Sequence, residues 1–456
     1  MILKILLNDM ERTADRSVNV VVDVVVTVHE VNALHGTGII VQRMFPEDRE
    51  IISIRSDDGY GGVQSFGRWQ LCIKHDAAET AEERVQRAIA QLGEPMTVRR
   101  ILCIPYGDDD LLTAIALHEL YGAPLCLFVM DDRNLLEMGI TTAILQRALA
   151  IARLRLTISL EMRNLYGLKF GLPFYVMPPI ACDSLVPSEI PVPSPEQTPE
   201  VGIMIGNVWS QRAMERLALL TQASQVPLHW YGSSKSKAVP GRLEHPESHG
   251  ITEFGFLPTE QEVAEKLRHY YFAVVPSGTL DLEDDRAELS LLSLPSRIPF
   301  IMSVSHTPIL VLGSPNTAAA HFVTSLGIGL SCPYEPGPYR QTVQYLQQSE
   351  VQQSMRRKAS QVTASFLGAS SGEWLWQSLT LGKPVDDRYE KLFADPRLGI
   401  DSSLKYLLGS MAEMKKAHVL VPQLQERIAA MKTSKFWQLR AQWFRFKRLF
   451  GLGEDE

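Results

Sequence analysis

At 456 residues, with 45% hydrophobic and 21% charged residues, the chain has the composition of a soluble globular protein and the length of two domains, each with room for its own core. A formal net charge of -7 argues against a general nucleic-acid binder, so no nucleic-acid partner is expected. No apolar run approaches the ~20 residues of a membrane-crossing helix, and MILKILLNDMER at the start is too short and lacks a cleavage site for a signal peptide.

Residues 18–28 (VNVVVDVVVTV) are β-branched on both faces, as a central parallel strand requires. His29 follows, then His35, Gly36, Thr37 and Gly38 ahead of an apolar helix over 39–45. Strand, glycine turn and helix in that order let backbone approach a ligand closely, although the spacing is not the dinucleotide GxGxxG. Two histidines at one strand's carboxyl end mark the turn for attention. Further strands are expected over 50–55, 100–105, 124–130, 154–159 and 174–177, with helices over 78–92 and 111–121. Asp108 to Asp110 read as a solvated loop. Asp131 and Asp132 end a strand, where a carboxylate serves as a general base, holds sugar hydroxyls, or caps a helix, and capping suits one of the pair.

Between 186 and 200 stand five prolines and little apolar periodicity, which marks a semi-rigid linker. The division this gives is a first domain over 1–182, a linker over 183–200, a second domain over 201–385 and a helical tail over 386–456. The second half restarts the strand–helix alternation at 201–205. Ser210 and Arg212 open a helix, Tyr231 and Gly232 end a strand at 228–231, and 235–253 reads as irregular. A strand over 272–275 ends at Pro276, Ser277, Gly278 and Thr279. Ser296 falls at a helix N-cap position with Arg297 beside it, a pairing of amide donors and guanidinium that suits a phosphate. A buried strand follows over 308–312. The overall expectation is α/β, with two Rossmann-like doubly wound domains facing a cleft, plus a helical tail.

Beyond 330 the chain reads as a helix-like segment over 339–366, another from Ser371, and a helical stretch over 411–431. Residues 432–450 place Phe436, Leu439, Trp443, Phe446 and Phe450 on one helical stripe amid Lys and Arg. Such a stripe either lies in a membrane interface or docks on the protein. Cys72, Cys103, Cys126, Cys182 and Cys332 are widely spaced, which fits reduced cysteines in the cytoplasm, free or at its membrane face, and not a disulfide or zinc framework.

Several phrases together resemble the GT-B glycosyltransferases, and most closely the retaining family 4. They are ITEFGFLP before a helix, VVPSGTLD after a strand, and LPSRIPFIMSVSHTPIL before a GS-P loop, with HGTGIIVQRMF and ISLEMRNLYGLKFGLPFYVMPP in the first half. The resemblance implies transfer of a sugar from a nucleotide-diphosphate sugar to a glycan or lipid-linked acceptor, with retention, in cell-surface polysaccharide or glycolipid synthesis. By it, the base lies near Tyr231, Gly232, Phe256 and Leu257. The diphosphate lies on Ser277, Gly278, Thr279, Ser296, Arg297, Ser210 and Arg212. The turn His35–Gly38 faces the transferred sugar and acceptor. One departure stands out: of two glutamates separated by seven residues, Glu288 matches the first, whereas the second position is Ser296. The expected catalytic residues are Arg297, which stabilises the leaving diphosphate, and Glu288 or Asp131, which orient sugar hydroxyls. No cofactor is expected, nor a metal, since no compact Asp/His cluster calls for one. The alternatives are an epimerase or a non-catalytic nucleotide-sugar-binding relative.

Overall fold

The computed structural model describes residues 19–47, 49–62, 66–135, 139–191, 201–235, 241–392 and 409. Its first lobe is built on a sheet of seven strands, all paired in parallel: β1 (Val20–Thr27), β2 (Ile51–Arg55), β3 (Trp69–Cys72), β4 (Met96–Ile104), β5 (Leu125–Val129), β6 (Leu154–Thr157) and β7 (Tyr175–Val176). Their order across the sheet is β3-β2-β1-β4-β5-β6-β7. Crossover helices α1 (Gly36–Met44), α2 (Ala81–Ala90), α3 (Asp108–Tyr121), α4 (Thr142–Ile151) and α5 (Leu160–Phe170) link them. The valines of β1 explain its place. Val22, Val24, Val25 and Val26 are all buried, so side chains on both faces of the strand meet protein. Asp23 interrupts that run and is answered by Arg99 at 2.8 Å and by Arg100.

The second lobe repeats the scheme with six parallel strands: β8 (Gly202–Ile205), β9 (Leu228–Tyr231), β10 (Ile251–Glu253), β11 (Ala273–Pro276), β12 (Ile309–Leu312) and β13 (Gly329–Cys332), ordered β10-β9-β8-β11-β12-β13. Helices α6 (Gln211–Ser224), α7 (Glu260–Arg268), α8 (Ala287–Leu292), α9 (Arg297–Ser305), α10 (Ala318–Ser325), α11 (Pro336–Leu346) and α12 (Ser349–Thr363) accompany them. In both sheets the strand order reverses beside the first strand, and ligand crevices open at the carboxyl ends there.

After a bridge between Ala181 and Leu367 the chain returns to the first lobe. Helix α13 (Gly368–Leu381) presses its Gly368 and Gly372 against the backbone of Arg43 and Met44, so close that a Cβ on either would lie within 2.4 Å of a carbonyl oxygen. The short α14 (Arg388–Leu392) then buries Tyr389, and Glu390 binds Arg163 and the Val176 amide. Residues 368–392 therefore pack with the first lobe, whereas the sequence pattern assigns 368–385 to the second domain and begins a separate tail at 386. The amphipathic stripe at 432–450 and the helical stretch at 411–431 lie outside the described residues, as do 192–200 of the linker.

Three strands leave little trace in the sequence pattern: β3, β10 and β13. Each has three or four residues and at least one exposed or half-exposed side chain, which dilutes the apolar signal. The expectation of a solvated loop at 108–110 is also corrected. These residues form the first turn of α3, and Asp110 is wholly buried. Its carboxylate accepts from the Tyr106 and Gly107 amides at 2.9 and 3.0 Å and from the Ser56 hydroxyl at 2.6 Å. Acids in a helix's first turn meet its free amides and dipole, the physics that outweighs three adjacent negative charges.

Candidate functional site in the seam between the sheets

On the first-lobe side the site begins at the end of β1. His35 is the N-cap of α1: its Nδ1 accepts from the Gly38 amide at 3.4 Å, and its Nε2 lies 2.7 Å from the Glu30 carbonyl. These contacts suit a neutral ring with its proton on Nε2, and burial lowers its pKa further. Thr37, in the first turn, shares a hydrogen bond of 2.7 Å with the Tyr106 hydroxyl. Tyr106 follows β4, and Asp131 follows β5. The Asp131 carboxyl lies beside the Tyr106 hydroxyl and beside Ser293, which belongs to the second lobe. Burial raises its pKa, and those hydroxyls with Arg133 draw it partly back. Its neighbour Asp132 is committed to local structure: it accepts from the Asn134 and Leu135 amides at 3.1 and 2.7 Å and from the Tyr166 hydroxyl at 2.9 Å.

Across the seam, Gly36 meets the second lobe directly, since a Cβ there would stand 3.1 Å from Ser296 Oγ. Ser296 occupies the N-cap position expected of it, yet its backbone is helical and its side chain makes no capping bond. That leaves the hydroxyl in the seam. Arg297 opens α9 and turns its guanidinium to the carboxyl end of β8, donating to the Ile205 carbonyl at 2.9 Å and to the Asn207 carbonyl. Burial lowers its pKa to about 10, so the group stays charged at neutral pH. Among the described residues no carboxylate pairs with it.

The other expected phosphate contacts are arranged differently. Asp285 covers the start of α6: its carboxylate accepts from the Ser210 hydroxyl, from the Gln211 amide at 2.9 Å and from the Arg212 amide at 3.3 Å. The Arg212 side chain pairs with Glu215 at 2.9 Å and Glu283 at 3.3 Å. The loop after β11 is likewise self-satisfied. The Gly278 amide donates to Ser290 Oγ at 2.9 Å, Thr279 Oγ1 accepts from Arg216, and the Ser277 carbonyl accepts from Tyr334 at 3.0 Å. In this structure the Ser210 hydroxyl and the Gln211 and Arg212 amides are taken by Asp285, and the Gly278 amide by Ser290. Asp285 and Glu283, which the residue patterns gave no role, take the donors of 210–212. Glu288 is buried in α8, 3.8 Å from Arg286.

At the far end of the second sheet Tyr231 is stacked on Phe254 with centroids 5.0 Å apart, and Phe256 stands 60% exposed with Leu257 half-buried beside it. Gly232 is required where it is. A Cβ would sit 2.4 Å from the Gly206 carbonyl, which also accepts from Trp230 Nε1 at 2.8 Å.

Sequence reasoning missed Tyr106, Glu30, Tyr60 and Ser293. Glu30 is wholly buried and accepts from the Gly59 amide at 3.1 Å, the Tyr60 amide at 3.0 Å and the Gly62 amide. An acid just after a buried strand, facing a glycine-rich loop, was the available signal. The described residues contain no group of three His, Cys, Asp or Glu placed to hold a metal, and no helix long and apolar enough to cross a membrane. The described cysteines are free, and Cys103, Cys126 and Cys332 are buried.

No protein-family model matches the chain, and no curated protein matches its sequence. Solved structures do resemble it. HepE from Anabaena in complex with UDP superposes with a TM-score of 0.54 at 11% identity, covering 79% of this chain and 100% of that one. The same protein in complex with UDP-glucose gives 0.52 at 10% identity, over 79% and 99%. The UDP-forming α,α-trehalose-phosphate synthase of Burkholderia xenovorans, in complex with glucose-6-phosphate, gives 0.50 at 10% identity, again over 79% and 99%. At such identities the likeness speaks for architecture. Two parallel sheets with interleaved helices, a carboxyl-terminal return to the first lobe and a seam between the strand ends give this chain the GT-B fold.

Proposed function

We propose that the chain is a glycosyltransferase that uses a nucleotide-diphosphate sugar as donor. The observation that carries this reading is Arg297: a half-buried guanidinium at the carboxyl end of β8, held among the described residues by the Ile205 and Asn207 carbonyls, on the residue after Ser296, whose hydroxyl meets Gly36 of the first lobe. A cation without a carboxylate, preorganised in a low-dielectric site, stabilises the charge that a leaving diphosphate develops. UDP and UDP-glucose in the HepE structures support that choice of ligand class. Asp131 and the Tyr106 and Thr37 hydroxyls supply the sugar-facing polar groups. The family resemblance adds retention and an acceptor among cell-surface glycans or glycolipids, and the amphipathic sequence at 432–450 adds a peripheral membrane contact.

The test is a thermal-shift screen of UDP-, GDP- and ADP-sugars, followed by nucleoside diphosphate release with the best of them. At least one nucleotide sugar raises the melting temperature of the native chain, and Arg297→Ala abolishes that shift. A chain indifferent to every nucleotide sugar has some other function. Anomeric couplings in the product's NMR spectrum decide retention.

A second reading, a nucleotide-sugar binder without transfer activity, is favoured by Asp285, whose carboxylate fills the amides at the start of α6. Stabilisation by a donor with no nucleotide release, whatever the acceptor extract, selects it.

A further inference from the structure

On the first lobe, the loop after β2 (residues 56–62, SDDGYGG) has the sequence of a floppy connection and the geometry of a fixed one. Its Ser56 and Asp57 amides donate to the Val28 carbonyl at 3.2 and 2.8 Å. Three further amides, those of Gly59, Tyr60 and Gly62, converge on the buried Glu30 carboxylate. Burial alone raises a carboxyl pKa, but these amides and Arg55 hold that of Glu30 below its ordinary value. The loop is thus wound around an internal anion.

What that anchoring positions is the Tyr60 ring. It lies flat on His35, centroids 4.6 Å apart and planes 7° from parallel, with His29 edge-on at 5.5 Å. His35 is fixed in turn by its bonds to Gly38 and Glu30. Gly59 has no room for a side chain, because a Cβ would fall 2.4 Å from the His29 ring. Beyond Tyr60, by contrast, the space around Gly61 is open: a Cβ placed there would meet nothing within 4 Å. Tyr60 itself is half-buried, and the His35 it lies on immediately precedes Gly36, where the lobes meet.

The charge around this ring is equally informative. Arg55 is paired with Asp58 and Lys74 with Asp57, both at 2.6 Å. The buried Glu30 adds a further carboxylate. A phosphorylated acceptor therefore meets acids and cations that are already paired, which gives a neutral polyol the advantage. Aromatic faces carry negative charge and attract the slightly positive C–H faces of a pyranose. A ring already immobilised loses no further freedom on binding.

We infer that Tyr60, backed by His35 and held in place by Glu30, is the platform on which the acceptor's sugar ring lies, and that this ring is a neutral pyranose. The inference rests on the glycosyltransferase reading for the word acceptor, but the binding site is testable without it.

The experiment is saturation-transfer NMR of the full chain with methyl glucoside, methyl galactoside, methyl mannoside and methyl N-acetylglucosaminide, and with glucose 6-phosphate as the anionic comparison. At least one neutral glycoside receives saturation on its ring protons. Tyr60→Phe preserves this, while Tyr60→Leu, which refills the space over His35 without a π face, weakens binding about tenfold or more. Melting temperatures of both variants report folding. The inference is overturned if no neutral glycoside binds, if glucose 6-phosphate binds in preference, or if Tyr60→Leu binds as the native chain does. Sugar binding without nucleotide-sugar binding removes the transferase and leaves the platform; the reverse result removes the platform alone.

Discussion

Gly36, at the start of α1, stands so near Ser296, just before α9, that a Cβ on the glycine would come within 3.1 Å of the serine oxygen. That approach brings the first-lobe turn against the residue preceding Arg297. Gly36→Ala displaces a rotatable hydroxyl and is mild. Gly36→Val pushes a branched side chain into the seam. We expect Gly36→Val to lower kcat/KM for nucleotide release about tenfold or more while leaving the melting temperature nearly unchanged, because the clash lies between the sheets and not within either core. Equal losses of melting temperature and rate would point to misfolding instead.

Arg297 holds two carbonyls with one planar fork, which a lysine does not reproduce. Arg297→Lys keeps the positive charge and loses the orientation. Nucleoside diphosphate affinity, by titration calorimetry, is expected to fall about tenfold, about 1.4 kcal/mol, and further in Arg297→Ala. Lysine and alanine variants of equal affinity would show that the charge plays no part.

His306 closes α9 in the left-handed conformation, φ 54°, and is 2% exposed. Burial, then the nearby Arg356 and Arg268 cations, push its pKa down to about 4. The unfolded chain protonates this ring near 6.5, so it binds the proton that the folded chain refuses. Stability is therefore complete above pH 6.5 and declines as the pH falls toward 4. The full loss is on the order of 3 kcal/mol. His306→Asn suits the left-handed backbone and removes the titration. Urea midpoints at neutral and mildly acidic pH should converge in that variant.

Glu30 also has a depressed folded pKa, but here it is the charged form that the fold favours. Its contribution is present at neutral pH and disappears as acid protonates the carboxylate. Glu30→Gln leaves amide donors of the 59–62 loop facing a partner that no longer carries charge. The expected cost is about 2–3 kcal/mol at pH 7, with little difference from the native chain once the pH is well below the carboxylate range. Urea denaturation at both pH values checks it.

The frame was legible where residue chemistry is redundant. The valines of β1 point both ways because both faces are covered, and the glycines that open α1 read as a close approach because Gly38 meets the Asn32 backbone. Arg297 was legible as a cation at a helix start. What stayed hidden depends on partners distant in the chain. Asp285 satisfies amides more than seventy positions away, at 211 and 212, and Asp110 joins Ser56 to the start of its own helix. An acid in a loop looks solvated until the fold supplies its donors. Glu30 and Tyr60 are the same lesson: glycines on either side of the tyrosine suggest freedom, and only a carboxylate from the neighbouring strand's end removes it.

Asp285 also has a consequence for how the second lobe meets ions from solution. A carboxylate held over the first amides of α6 is an intramolecular competitor for any anion that approaches them. Orthophosphate or sulfate must evict that carboxylate to reach the amides. A ligand gains those amides only if contacts elsewhere on the same molecule compensate for evicting the resident acid, which makes the seat selective for large anchored molecules over simple salts.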